Sequence, residues 1–261
     1  MTQLLLDLRP KQAPTLDNFV AGANAELLAR LRGLSEADSF DAVFVWGPPG
    51  SGRSHLLTAT ARLADRHRAV THLQADNVGE EIPAPPGGLV VIEDVEQLAE
   101  AAQITLFRLF NAARMVGLAI LLSGGNAPAL LQLREDLRTR IGQSLIFEVK
   151  PLSDDEKSAA LRRHALLRGM RMDDGLVDYL LRHGRRDLPS LMAVLDGLDR
   201  ATLEKKRHAT LPLLREVMQL QLEKDDEPRT VLPRQYAARR RLRLRVGTVP
   251  DLQGGARPRG A

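Results

Sequence analysis

Five short apolar runs mark the first 150 residues: Ala42 to Trp46, Ala69 to Gln74, Leu89 to Ile92, Ala119 to Ser123 and Ser144 to Val149. Each has strand character, and helical patterns lie between most of them. The expected fold class is therefore α/β, a parallel sheet flanked by helices on both faces. Beyond Lys150-Pro151 the pattern changes to helices alone. Ser153-Asp154-Asp155-Glu156 reads as a capping box, with Ser153 bonding the third residue's N–H and Glu156 reaching back. It opens a helix through about Leu167, followed by helices near Asp174 to Leu181, Leu188 to Lys205 and Leu211 to Leu220. In the third of these Leu188, Leu191, Met192, Leu195 and Leu198 share one face, and Pro189 sits in the first turn, where its missing N–H does no harm. The expected organisation is an extended segment over 1–12, an α/β domain over 13–150, a small helical lid over 151–220 and a basic, disordered tail over 221–261.

The sharpest motif follows the first run. Gly47-Pro48-Pro49-Gly50-Ser51-Gly52-Arg53-Ser54 fits the P-loop template G-x-x-x-x-G-K-[ST] everywhere except at the lysine, which is Arg53. A strand precedes it, and a helix from Ser54 to about Arg66 follows, with Leu56, Leu57 and Leu63 among its apolar positions. Glycines let the backbone curl so that N–H groups face phosphate oxygens, and the helix adds its positive end. The candidate cofactor contacts are Gly47, Gly50, Ser51, Gly52, Arg53, Ser54 and His55, and the expected ligand is a nucleoside di- or triphosphate. Arginine presents a planar fork where lysine offers a compact charge, so binding with poor hydrolysis is expected. A glycine-rich turn without a ligand is the alternative, and the setting between strand and helix argues against it.

Composition narrows the classes. A 261-residue chain with 44% apolar residues builds a real core. Cysteine is absent, which excludes a disulfide framework and thiolate metal sites and suits a reducing cytoplasm. The six histidines have no metal-ligand spacing, so no structural metal is expected. No run approaches ~18 apolar residues, and the N-terminus lacks the basic-then-apolar order of an export signal. The expectation is a soluble cytoplasmic protein with no membrane partner. The net charge of +4 comes from the end of the chain, where residues 229–261 hold nine arginines against Asp251. The remainder has 28 basic against 32 acidic side chains, and a body of charge −4 is a poor candidate for wrapping nucleic acid. The run from Arg239 to Arg245 reads either as a nucleic-acid arm or as a solvated tail. Its neighbours, dominated by Pro, Gly and Arg, favour the tail.

Leu89-Val90-Val91-Ile92-Glu93-Asp94 is an apolar run ending in two acids. Downstream of a P-loop, the first acid, Glu93, holds Mg²⁺ together with Ser54, and the second, Asp94, polarises the attacking water. At this point the chain resembles the AAA+ ATPases, a P-loop sheet followed by a small α-helical lid, and within them the group of the bacterial replication initiator DnaA and its shortened homologue Hda. The resemblance covers about residues 3 to 220. Thr15-Leu16-Asp17-Asn18-Phe19-Val20 looks like the segment before the initiator's ATPase core, and Gly52-Arg53-Ser54-His55-Leu56-Leu57 looks like the Hda form of the P-loop, arginine included. Leu137-Arg138-Thr139-Arg140-Ile141 is similar to the box with the arginine finger, which implies that role for Arg140. Arg186-Asp187-Leu188 is similar to the sensor-2 motif and implies Arg186 over the bound phosphates. Pro151 to Lys157 and Leu195 to Arg200 are also Hda-like. Two positions depart from the pattern: the sensor-1 acid falls on Gly125, with Asn126 one residue late, and Glu93 stands where Asp is usual. Both weaken self-catalysed hydrolysis.

The two ends bear on the function that the resemblance implies. Only about 40 residues follow the lid, so the initiator's helix-turn-helix domain and origin recognition are not expected, and the Pro-rich stretch Ile82 to Gly88 leaves little room for helices that grip single-stranded DNA. Gln3-Leu4-Leu5-Leu6-Asp7-Leu8 resembles the motif by which bacterial proteins dock on the DNA polymerase III sliding clamp, with Gln3 read by hydrogen bonds and Leu4, Leu6 and Leu8 as apolar anchors. An N-terminal strand or a local core plug is the alternative. The function implied is negative regulation of replication initiation. ADP, or ATP, with Mg²⁺ sits in the P-loop; the clamp supplies contact with DNA; and Arg140 acts in trans on ATP held by DnaA. Such a chain stimulates its partner's ATPase and has weak or no activity of its own, and a homo-oligomer is left open. The rival is a self-hydrolysing AAA+ ATPase such as a helicase loader, and a third reading is a pure binding platform.

Overall fold

The computed structural model describes residues 13–185, 187–205 and 208–226. The α/β part runs α1 (Ala25–Ser35), β1 (Ala42–Trp46), α2 (Arg53–Ala64), β2 (Val70–Gln74), β3 (Leu89–Glu93), α3 (Glu100–Val116), β4 (Ala119–Gly124), α4 (Glu135–Gly142) and β5 (Leu145–Glu148). The five strands form one parallel sheet in the order β2-β3-β4-β1-β5. Every expected strand is present, with ends that shift by at most one residue.

The sheet forms because its inner strands are apolar on both faces. Val43, Phe44 and Val45 are all 0% exposed, and they alternate in direction. Val43 and Val45 join Val91 and Leu121 against Leu28 and Leu31 of α1 and Leu56 and Leu57 of α2. Phe44 joins Val90, Ile92, Ile120 and Leu122 against Leu106 of α3 and Leu137 and Ile141 of α4. Each such side chain contributes roughly 1.5–3 kcal/mol on full burial, so neither face can be turned to water. Two-sided cover holds for β1, β3 and β4. The outer strand β5 is more open, with Leu145 40% and Ile146 42% exposed. Between β2 and β3 only a short 3-10 turn, Ala75–Asn77, interrupts the loop.

The second part comprises α5 (Asp154–Leu167), α6 (Asp174–His183), α7 (Leu188–Lys205) and α8 (Leu211–Asp226) around Leu161, Leu180, Leu195, Leu198 and Leu214. The capping box forms: Glu156 N–H donates to Ser153 Oγ at 3.2 Å, and Ser153 N–H donates to Glu156 Oε2 at 2.8 Å. Helix α8 runs six residues beyond the expected end at Leu220, so the stretch assigned to the tail begins as helix. Nothing before Pro228 breaks the helix. Asn24, 3% exposed, fixes the chain where it leaves the α/β part: its Nδ2 donates to Lys150 O at 2.9 Å and its Oδ1 accepts from Lys150 N at 2.8 Å.

Arg68, at the end of the turn after α2, is 8% exposed. It donates to five backbone carbonyls: Gly87 (2.8 Å), Gly88 (2.7 Å), Glu36 (2.8 Å), Ser39 (2.8 Å) and Leu34 (3.4 Å). One guanidinium thus closes the loops before β1 and before β3. Arg68→Ala leaves these carbonyls unpaired and is expected to lower unfolding free energy by about 2–4 kcal/mol. Arg68→Lys, with fewer donors and no fork, restores less than half of it. Urea unfolding of the three chains checks both.

Candidate functional site

In a parallel sheet the carboxyl ends of the strands share one edge, and ligands bind there. The P-loop leaves β1 at this edge and enters α2. Gly50 (φ 79°) and Gly52 (φ 100°) take left-handed conformations that side chains rarely adopt. A Cβ on Gly52 would stand 2.7 Å from the Phe19 ring, and one on Gly50 would stand 2.8 Å from Asp187 Cβ in the lid. The loop is thus pinched between the N-terminal segment and the start of α7, where Asp187 caps the helix by accepting from Ser190 N at 2.9 Å. These elements enclose a cleft of about 590 Å³, lined by Phe19, the P-loop, His55, Leu152, Asp187 and Leu188 among others. That size suits a small organic ligand. His55 meets Thr15 O through Nε2 at 2.9 Å, which requires the proton on that nitrogen, and its ring packs on Phe19. Ser51 Oγ is buried with no protein partner.

Arg53 does not point along the loop. Its Nη1 lies 3.1 Å from Asp94 Oδ1, an ion pair set off the hydrogen-bond axis. Asp94 has φ 54°, and among the described residues it is the one non-glycine with positive φ. Its N–H donates to Ser123 Oγ of β4 at 3.2 Å, which holds this costly backbone in place. Burial raises the Asp94 carboxyl above its ordinary value; Arg53 opposes this, and Glu96 and Glu93 add to it. Glu93, 3% exposed, meets His72 Nε2 at 2.8 Å across the β2–β3 pair. Burial pushes its carboxyl up, but hydrogen bonds with His72, Ser54 and Gln74 outweigh that and hold it below the ordinary range. Ser54 and Glu93 are therefore brought together, as an Mg²⁺ site needs.

Arg140, on α4, lies elsewhere on the surface. It is exposed, its Nη1 is 3.4 Å from Gln143 Oε1, and its guanidinium stands 6.0 Å above the Phe107 ring. No carboxylate lies within ion-pair distance of it among the described residues, whereas Arg134 nearby pairs with Asp136 at 3.1 Å. Arg186 and the segment with Gln3, Leu4, Leu6 and Leu8 lie outside the described residues. Sequence reasoning missed His72, Ser123 and Glu96, which reach the edge by strand register and loop packing. The one trace of the last is the Gly124-Gly125 pair that makes room for it.

The family profile described as "Hda, lid domain" matches residues 154–218. The helical domain is thus similar to the Hda lid. The chain as a whole has the fold of AAA+ proteins. Domain III of the Thermotoga maritima replication initiation protein DnaA superposes with a TM-score of 0.67 at 16% identity, covering 81% of this chain and 98% of that one. AMPPCP-bound DnaA from Aquifex aeolicus gives 0.63 at 20% identity, covering 84% and 71%. A Thermotoga maritima RuvB variant gives 0.62 at 16% identity, covering 82% and 73%. A lid similar to that of Hda therefore follows a sheet whose fold resembles that of DnaA and RuvB, and no helix among the described residues is long and apolar enough to cross a membrane.

The lowered Glu93 value has a direct consequence for pH. A carboxyl held below its unfolded value stabilises the fold fully above the unfolded value, and this contribution is lost as pH falls through the folded one. Glu93→Gln is expected to flatten the acid side of the stability profile below about pH 4.3, as measured by urea unfolding at stepped pH.

Proposed function

We propose that this chain binds an adenine nucleotide and restrains replication initiation by promoting hydrolysis of ATP held by the initiator DnaA. The observation that carries the reading is a contrast between two arginines. Arg53, in its own P-loop, is taken up by Asp94, whereas Arg140 is exposed and unpaired with any described carboxylate. The first arrangement disables the groups that would drive hydrolysis in the chain's own cleft. The second leaves a guanidinium available to stabilise charge on a phosphoryl group presented by another protein. It also disfavours the self-hydrolysing rival, for which Asp94 must be free to orient water.

In the chain's own cleft the base would lie against Phe19, Leu152 and Leu188 and the phosphates against the P-loop N–H groups and the start of α2. Ser54 and Glu93 would hold Mg²⁺, which would neutralise phosphate charge there, and Arg186 would approach from the lid. A DnaA of the same fold is described as AMPPCP-bound, which supports the nucleotide class. Bound nucleotide stabilises the fold by mass action, with ADP the favoured occupant. Gln3, Leu4, Leu6 and Leu8 would dock on the sliding clamp, whose hold on DNA raises the effective concentration of a weak partner.

The test is single-turnover hydrolysis of ATP preloaded on DnaA, with clamp-loaded DNA and this protein. The wild type is expected to accelerate hydrolysis only with the clamp present. Arg140→Ala should remove that acceleration, a loss of roughly 10³-fold if the finger contributes as in related systems, and Gln3→Ala should remove it at low protein concentration. No acceleration by the wild type, with steady ATP turnover by the chain alone, overturns the reading in favour of the motor.

A further inference from the structure

The two outer strands of the sheet end differently. Beside β2, the loop leading to β3 closes back on the strand, with Thr71 Oγ1 donating to Pro83 O at 2.6 Å. Among the described residues β5 pairs only with β1, and Leu145 and Ile146 are left 40% and 42% exposed. One bond fixes which way its backbone groups point. Val149 N donates to Trp46 O at 2.7 Å, so the odd-numbered residues of β5 turn their N–H and C=O groups to β1 and the even-numbered ones turn theirs outward. Ser144 agrees with this, because its N–H donates to Ile141 O at 3.0 Å, back into the preceding turn. The outward groups are therefore both of Ile146, both of Glu148 and the C=O of Ser144. The strand carries no proline or lysine, two of the devices that keep an edge from pairing. Ser144-Leu145-Ile146-Phe147-Glu148 also has the same order of polar and apolar positions from either end.

We propose that β5 is a docking edge for a second copy of this chain, whose own β5 adds antiparallel about a two-fold axis centred on Ile146. In that register Ile146 faces Ile146 of the second copy, Leu145 faces Phe147, and Ser144 faces Glu148, so apolar meets apolar and no like charges are opposed. A two-fold contact requires one patch to fit itself, and this strand does. The outward groups meet as well. Ile146 falls in a hydrogen-bonded pair, and about four backbone bonds form: two between the Ile146 residues and one from each Glu148 N–H to the Ser144 C=O opposite. Other registers lose this match. Moving the axis to Phe147 sets Glu148 against Ile146, moving it to Leu145 sets Phe147 against Gln143, and a slip of one residue sets outward groups against inward ones. The joined strands form one continuous sheet and close an edge that is otherwise open to pairing with unrelated chains. The contact is small, so the dimer is weak, with a dissociation constant on the order of 10 µM. The inference is independent of the nucleotide reading.

Sedimentation velocity of the full chain, between about 1 and about 200 µM, is expected to show a monomer–dimer equilibrium. Ile146→Lys sets two ammonium groups opposite each other at the axis and should weaken the dimer at least ~30-fold. The monomer should keep its fold by circular dichroism, because residue 146 already meets solvent there. The chain has no cysteine, so single introduced thiols report the register. In Ile146→Cys the two Cα atoms stand about 5.5 Å apart, within the ~4.4–6.8 Å that a disulfide spans. In Ser144→Cys they stand roughly 14 Å apart, at ~3.4 Å per residue along the strands. Mild oxidation should therefore cross-link the first variant and leave the second monomeric in denaturing gels. The cysteine pair decides the matter if the lysine variant does not fold. A wild type that stays monomeric over the whole range, a dimer untouched by Ile146→Lys, or equal cross-linking of the two cysteine variants overturns the proposal.

Discussion

Everything functional in this molecule depends on the inner strands being buried on both faces. Val43 to Val45, Val90 to Ile92 and Ile120 to Leu122 give water no access at any point along their length. A polar group can therefore attach to β1, β3 or β4 only where the strand stops. Parallel pairing sends all three stops to one edge. The P-loop follows β1, the acids Glu93 and Asp94 end β3, and Ser123 to Gly125 end β4. The site is thus a consequence of core packing, and α2 adds the positive end of its backbone at the same edge.

Charge at that edge is held in fixed contacts. Three carboxylates, of Glu93, Asp94 and Glu96, gather at the ends of β3 and β4, and the P-loop guanidinium of Arg53 pairs with Asp94. Each is held by a different neighbour: Glu93 by His72 and Ser54, Asp94 by Arg53 and Ser123, and Glu96 by Gly125. A lysine at residue 53 has a flexible stem and a point charge suited to phosphate. Arginine has a longer, planar head that reaches across to Asp94. The arginine read in the P-loop thus gains a structural meaning, because it couples the loop to the end of β3 through Asp94, the group that on the proposed reading would otherwise orient water.

The fold was largely legible because its determinants are local. Apolar runs located all five strands, and Ser153-x-x-Glu156 located the start of α5. The site was legible where its residues are adjacent in sequence, as in the P-loop and the acid pair. His72 was not, because its contact with Glu93 exists only through the pairing of β2 with β3. Glu96 carries no motif that singles it out, and Gly125 stands in the sequence only as the place of a missing acid; their 2.7 Å contact exists only in the fold. Arg68 follows a helix, a position usually solvated, and only tertiary packing turns five carbonyls toward it. The end of α8 was set too early, because its charged extension carries no apolar period although its residues tolerate a helix.

The same geometry explains how a ligand in the cleft can matter to a side chain outside it. From α4, which carries Arg140, the chain runs through β5 to Lys150 and into the helical lid without a long loop. Asn24 grips Lys150 by both backbone groups, and Gly22, with φ 47°, lets the chain pass so close to Leu152 that a Cβ would stand 2.6 Å from it. The far side of the lid rests on Gly50 through Asp187. A ligand between P-loop and lid therefore touches both ends of one stiff connection. Packed elements respond to such contacts by shifting between discrete arrangements. On the proposed reading, the occupant of the cleft sets the angle at which α4 and Arg140 meet a partner, even though the cleft itself performs no hydrolysis.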